Sequence, residues 1–310
     1  MVKDTISQDI GINKLLSDIM VNEYFTQFKQ QASRIETHDD LVQVIEDNLN
    51  PNVLTGRGHY ESCQNRWDNQ LLHQTNGNDK VGEDTGITNC SSAHNCYSKK
   101  MGYCNNKCGK CYAQAQEEQY AQVLMNGLMN EAIIDEIPQN EFTAQIREFH
   151  DARELLFHRW DSFGEFKSPT IFGYCNKASQ MLQKHNGVLS YSYTHNKELP
   201  VDGASKSFIT MNFSYDVKDG YKQCIIAKPS DLHLYLDSTK YIICLGDCLN
   251  CPYCKDRNDT RTVVFVHHGN GKGTKSQLKL GLSPKQLYLL EVNRIKDLAN
   301  FKERLIDFYF

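Results

Sequence analysis

Three closely spaced cysteines constrain this chain more than any other feature. Cys104, Cys108 and Cys111 follow the spacing Cys-x3-Cys-x2-Cys. A structural zinc site normally has four protein ligands, whereas cysteine thiolates also hold iron–sulfur clusters. Three thiolates leave one iron of a cubane cluster open to a substrate or cofactor, so the spacing favours an iron–sulfur site that does chemistry. The alternative is a zinc knuckle completed by an upstream ligand, either Cys90, His94 or Cys96.

A second cysteine cluster lies towards the other end of the chain. It has the spacings x3, x2 and x2 and consists of Cys244, Cys248, Cys251 and Cys254. The tight run resembles that of bacterial ferredoxins more than a zinc ribbon with a long spacer, although structural zinc remains the alternative. A barrel built on a catalytic cluster needs several βα units after it, and only a short tail follows Cys254. We therefore predict that the first cluster is catalytic and the second auxiliary.

Composition indicates a reducing compartment. Of the 12 cysteines among 310 residues, seven fall in the two clusters, whereas a disulfide framework belongs to smaller secreted chains. The first residues are polar and lack the apolar segment of a signal peptide, and no apolar run is long enough to span a bilayer. The net charge of −4 gives no whole-chain electrostatic footprint for nucleic acid. We expect a cytoplasmic protein with no membrane partner.

The pattern along the chain predicts an α/β fold. We expect an N-terminal helical extension over 1–50, a polar loop or linker over 51–80 and a partial (βα) barrel with the first cluster over 81–243. Residues 244–310 then hold the second cluster, a strand and a C-terminal helix. Short apolar strands that alternate with helices are typical of this class.

Individual elements follow from periodicity and capping residues. We predict helices over 113–134 and Phe142–Arg153, and a third that begins at Ser168-Pro169 and ends at Gly187. Strands are expected at LLFHRW, VLSYSYT, SFITMNFSYD, QCIIAK and TRTVVFV.

Polar residues end several of these predicted strands. In a barrel, such residues at the carboxyl ends of strands point into the active site. The candidate residues are Gly164, Glu165, Thr194, His195, Asn212 and Ser214.

These motifs together resemble the radical SAM superfamily, in which the open iron chelates S-adenosylmethionine (SAM). Members carry a Gly-Gly-Glu that meets the SAM amino group; here Gly164 and Glu165 match, and Phe163 replaces the first glycine. The order CYA, GEF, YTHNK, NFSYD, cysteine cluster and VVFVHHG, over about residues 80–270, is similar to that of a poorly characterised family of phage and mobile-element proteins.

The resemblance implies a radical SAM-type [4Fe-4S] enzyme that cleaves SAM to begin radical chemistry on an unknown substrate. Cys104, Cys108 and Cys111 would hold the catalytic cluster, the four later cysteines would hold a second cluster, and Gly164, Glu165 and Tyr112 would bind SAM. Thr194, His195, Asn212 and Ser214 would line the site.

The same resemblance implies an electron donor such as a flavodoxin or ferredoxin, and the host cytoplasm if the chain is phage-encoded. Two other functions remain open at this point. One is a zinc-binding scaffold or nucleic-acid-binding module, and the other is an iron–sulfur protein that transfers or senses electrons.

Overall fold

The computed structural model describes residues 20–55, 59–77, 81–104, 111–162, 164–196, 198–199, 207–214, 222–246, 248, 251–266 and 282–309. They form an eight-stranded sheet in the order β1-β2-β3-β4-β5-β6-β8-β7, in which β1 is antiparallel to β2 and the other neighbours are parallel. The strands are β1 Gln74–Asn76, β2 Thr85–Thr88, β3 Phe157–Trp160, β4 Leu189–Thr194, β5 Ile209–Ser214, β6 Gln223–Ala227, β7 Tyr241–Ile243 and β8 Thr262–Val266. The α/β class is confirmed.

Helices cover and connect these strands. They are α1 20–32, α2 His38–Asn48, α3 His59–Asp68, α4 Tyr97–Lys100, α5 Tyr112–Glu117, α6 Ala121–Glu136, α7 Gln139–Asp151, α8 Pro169–Asn186 and α9 Pro284–Tyr309, with a 3₁₀ turn at Pro229–Tyr235. Among the described residues, no helix combines the length and apolar character that a membrane span requires.

Capping residues set the ends of α8 as the sequence predicts. The hydroxyl of Ser168 accepts a hydrogen bond from the backbone N–H of Ile171 at 3.2 Å, and Pro169 occupies the first turn. The helix ends at Gly187, whose φ of 67° is left-handed. Glycine adopts this conformation without the steric cost that other residues carry.

Two predicted segments differ from the structure. Residues 51–80 are not a plain linker, because they contain α3 and β1. The sequence did not indicate α3 because the helix is polar; Cys63 is its one buried residue. The helix predicted over 113–134 is two helices, separated at Tyr120, whose backbone is extended at φ −133° and ψ 108°.

The two faces of the sheet pack against different parts of the chain. Side chains alternate along a strand, so Trp160 and Phe213 belong to the main hydrophobic core, which also contains residues of α1, α2, α6 and α8. Tyr191 and Tyr193 project from the other face. There they pack against Cys254 and, in α9, Phe301. The second cysteine cluster therefore lies on the face opposite the main helices.

Candidate functional site at the carboxyl edge of the sheet

The segments that follow β2, β3 and β4 meet at one edge of the sheet. Parallel strands place their carboxyl ends together, and ligands of α/β proteins bind at that edge. Residues 89–104 follow β2, residues 161–166 follow β3, and His195 and Asn196 follow β4. The predicted Gly-Glu pair and the first part of the cysteine segment thus share one location.

The carboxylate of Glu165 links these three segments. It is 1% exposed. Its Oε1 accepts hydrogen bonds from the hydroxyl of Thr194 at 2.6 Å and from the N–H of Phe166 at 3.0 Å. Its Oε2 accepts from the hydroxyl of Ser98 at 3.0 Å and from the N–H of His195 at 2.9 Å. Four donors from the chain therefore surround one buried carboxylate.

Burial and hydrogen bonding act on Glu165 in opposite directions. Burial raises the pKa of this carboxyl above its usual range, because it disfavours the charged form. The bonds from Thr194, His195 and Ser98 favour the ionised form and partly offset that rise. An ionised carboxylate only accepts hydrogen bonds, and about four positions are available on its two oxygens. An additional donor from a ligand would have to replace one of the present four.

Gly164 holds the turn that places Glu165. Its φ is 86°, and a Cβ at this position would collide with the carbonyl oxygen of Ser91. The hydroxyl of Ser91 accepts from the N–H of Glu165 at 3.0 Å and donates to its carbonyl at 2.9 Å. The close approach explains why glycine is required here.

The other predicted site residues do not all lie beside Glu165. Thr194 and His195 contact Glu165, and the Nε2 of His195 is buried without a hydrogen-bond partner in the described part of the chain. Asn212 instead lies on the opposite face, where its amide donates to the carbonyl of Cys254 at 3.1 Å. Ser214 ends β5 and is aligned with Cys224 of β6.

Two residues near the first cysteine cluster were missed from the sequence. The Ser98 hydroxyl bonds Glu165, and the carboxylate of Asp161 accepts from the N–H of Cys90 at 2.6 Å. Burial holds the pKa of Asp161 well above its usual range. Asp161 directly follows β3, so the strand-end signal that identified Thr194 applied to it as well.

The first cysteine cluster is only partly within the described residues. Cys104 and Cys111 are half-buried, while Cys108 and the side chain of Tyr112 lie outside the described part of the structure. Burial raises the pKa of Cys96 to about 12, and the charges of Glu165, Cys111 and Cys104 act in the same direction. The Cys96 thiol therefore shares the environment of both cysteines and of Glu165.

The two other upstream candidates for a zinc ligand have partners elsewhere. The sulfur of Cys90 lies 3.4 Å from that of Cys175, and both residues are buried. The Nδ1 of His94 lies 2.7 Å from the carboxylate of Glu117, which is fully buried. By contrast, the electrostatic environment of Cys96 includes Cys104 and Cys111.

The four cysteines of the second cluster line one cavity. Its wall includes Tyr191, Tyr193, Phe265, Cys244, Cys248, Cys251 and Cys254. Burial raises the pKa of Cys251 well above its usual range, and the neighbouring thiols add to this effect. Burial also raises the pKa of Cys254, whereas Lys222 and a hydrogen bond with Tyr193 lower it.

The donor set of the second cluster fits zinc or an iron–sulfur cluster. Both are held by four thiolates, and four thiols line this cavity. Within the described residues, however, no three side chains of His, Cys, Asp or Glu converge closely enough to hold a metal ion. The four cysteines therefore fit such a metal centre by their chemistry and their shared location, but their side chains are not in a ligand geometry.

No family model, curated protein or solved structure matches this chain, so its function has to be inferred from its own residues.

Proposed function

We propose that this protein is a radical SAM-type iron–sulfur enzyme built on a partial (βα) barrel. The strand order supports the barrel, because β2, β3, β4, β5 and β6 are neighbours in chain order and run parallel. Consecutive parallel strands joined by helices are the arrangement from which (βα) barrels are built. The helices α4 to α7 connect β2 to β3, and α8 connects β3 to β4.

One hydrogen bond carries the proposal. Ser98 lies between Cys96 and Cys104, and its hydroxyl donates to the Glu165 carboxylate at 3.0 Å. The cysteine segment after β2 is thus in direct contact with the Gly-Glu pair after β3. An enzyme that binds SAM at an open iron needs a carboxylate beside the cysteine segment to receive the SAM ammonium.

The residues then have the following roles. Cys104, Cys108 and Cys111 hold the cluster, and Gly164, Glu165 and Tyr112 bind SAM. When bound, the cluster supplies the electron for reductive cleavage of SAM, received from a donor such as a flavodoxin or ferredoxin. The protein positions the two groups and excludes water.

Glu165 has to exchange one partner to receive an ammonium group. Its bonds from His195 and Phe166 come from backbone N–H groups, which are fixed by the chain. Of the two hydroxyl donors, Thr194 makes the shorter bond, at 2.6 Å against 3.0 Å for Ser98, and the Ser98 hydroxyl can move away by rotation about its Cα–Cβ bond. We therefore assign Ser98 as the donor that the SAM ammonium replaces.

Iron content and SAM binding of Cys108→Ala test the proposal. Anaerobically reconstituted wild type should contain iron and sulfide and bind SAM, whereas Cys108→Ala should lose most of the iron of one cluster together with SAM binding. Cys63→Ala is the matched control, because Cys63 is a buried thiol in α3. A wild-type protein with clusters that does not bind SAM would be an electron-transfer or sensor protein.

The position of Cys96 favours a second candidate function. With Cys96, the first site has four thiols, which is the closed ligand set of structural zinc. The protein would then be a non-catalytic zinc-binding scaffold. Metal analysis after anaerobic purification separates the two candidates. Zinc that is lost in Cys96→Ala would support the scaffold, and iron that is retained in Cys96→Ala would support the enzyme.

A further inference from the structure

Two lysines are buried next to the second cysteine cluster. Lys222 is 6% exposed and precedes β6, and Lys255 is 4% exposed and directly follows Cys254. A buried ammonium group loses its hydration, which is unfavourable unless a charge of opposite sign compensates the loss. The location of two such groups in one region therefore requires an explanation.

Both ammonium groups donate hydrogen bonds to backbone carbonyls in the segment that carries the second cysteine cluster. Lys222 Nζ donates to the carbonyls of Tyr253 and Asp256, the latter at 2.9 Å. Lys255 Nζ donates to the carbonyl of Cys248 at 3.1 Å and lies 3.7 Å from the centre of the Phe157 ring. Among the described residues, neither lysine forms an ion pair with a carboxylate.

Three carboxylates near the second cluster are paired with arginines. Asp259 lies 2.6 Å from Arg261, and Asp297 lies 3.0 Å from the same guanidinium. Asp256 pairs with Arg304. Asp84 acts on Lys255 electrostatically, but within the described residues it is not at ion-pair distance from it. No carboxylate in this part of the chain therefore pairs directly with either buried ammonium group.

The thiols of the second cluster can become negative next to both lysines. Lys255 lines the same cavity as the four cysteines, and Lys222 holds the carbonyls of Tyr253 and Asp256, on either side of Cys254. Four thiolates around one divalent metal ion leave two negative charges, as do four thiolates around an oxidised cubane cluster. Two ammonium groups balance that charge.

We propose that Lys222 and Lys255 are the counter-ions of a four-thiolate metal centre held by Cys244, Cys248, Cys251 and Cys254. Lys222 also fixes the segment that carries the last two ligands, through the carbonyls of Tyr253 and Asp256, and Lys255 holds the carbonyl of Cys248. This proposal rests on a metal at the second cluster and is independent of SAM chemistry at the first.

Cobalt binding tests the proposal on the full chain. Cys104, Cys108 and Cys111 are replaced by alanine, so that only the second site remains, and Co²⁺ is titrated by its thiolate charge-transfer absorption. Lys222→Met and Lys255→Met should each weaken Co²⁺ binding about 10- to 100-fold, as the loss of outer partners of metal ligands does. Lys228→Met is the control, because Lys228 is exposed, and should bind as the parent does. Lys255→Arg, which keeps the charge, should retain most of the affinity.

A second background separates charge compensation from a role in folding alone. With all four cysteines of the second cluster replaced by serine, Lys255→Met should leave the denaturation midpoint unchanged or raise it, because an uncompensated buried charge is removed. Parent-like Co²⁺ affinity in both methionine variants would overturn the proposal. Equal destabilisation by Lys255→Met with and without the cysteines, including failure to fold in both, would also overturn it. Absence of SAM cleavage by the wild type would overturn the proposed function but would not bear on the role of the two lysines.

Discussion

The hydroxyl of Thr194 donates a 2.6 Å hydrogen bond to the carboxylate of Glu165, across the ends of β4 and β3. Both residues are almost fully buried. The bond fixes the position of the carboxylate at the carboxyl edge of the sheet, where residues 89–104 also lie. The arrangement depends on donors from three separate segments, so each donor can be tested separately.

Thr194→Val removes one of these donors at constant shape. The variant should lose about 1–3 kcal/mol of unfolding free energy, because the Glu165 carboxylate loses a donor and the buried N–H of Asn196 loses the Thr194 hydroxyl, its acceptor at 2.9 Å. Urea denaturation measures this loss. Thr239→Val is the matched control, since the exposed Thr239 hydroxyl also donates to a carboxylate, that of Asp237, at 2.6 Å. The control should remain close to wild type, and an equal effect in both variants would contradict the role of burial.

Gly164→Ala should destabilise the protein by more than about 1 kcal/mol. Its φ of 86° strains any other residue, and the added methyl group meets the Ser91 carbonyl. Gly173→Ala should change the stability in the opposite direction. Gly173 lies within α8, and a Cβ there meets nothing within 4 Å. That change should stabilise the helix by roughly 0.5–1 kcal/mol. Thermal unfolding of both variants measures the two effects, and stabilisation by Gly164→Ala would show that the turn differs from the one described.

The sequence was sufficient where a local signal marks an element, as at the two ends of α8. It was not sufficient where the outcome depends on strand register. Thr194 ends β4 and Asn212 lies two residues before the end of β5, but the alignment of Asn212 with Tyr193 places Asn212 on the face of the second cysteine cluster. Similarly, spacing alone cannot distinguish Cys96 from Cys90, because the contact between Cys90 and Cys175 spans 85 positions along the chain.

Stability should fall in mild acid because of a buried histidine pair. The Nε2 of His150 lies 2.8 Å from the Nδ1 of His158, and both residues are buried. Burial lowers the pKa of His150 to about 4, so between about pH 6.5 and 4 the unfolded chain binds a proton that the folded chain does not. Stability is therefore full above the unfolded pKa and is lost as the pH falls below it.

The measurement compares wild type with His150→Phe, because other groups titrate in the same range. Burial raises the pKa of Glu131 to about 7, which acts in the opposite direction. The difference in unfolding free energy between the two proteins should change by about 2 kcal/mol from pH 7 to pH 5 in favour of the variant. A difference that does not vary with pH would show that His150 is accessible to protons in the folded state.

Reductive cleavage of SAM is the most direct test of the proposed enzyme. Reconstituted protein is incubated anaerobically with dithionite and SAM, and 5′-deoxyadenosine is quantified. Wild type should form this product, and Glu165→Gln should keep its clusters while SAM affinity falls by about one to two decades, the value of a charge-assisted hydrogen bond of about 1.5–3 kcal/mol. If Glu165→Gln cleaves SAM and binds it as tightly as the wild type does, Glu165 does not contact SAM. A wild-type protein that holds its clusters but forms no 5′-deoxyadenosine would contradict the radical SAM proposal.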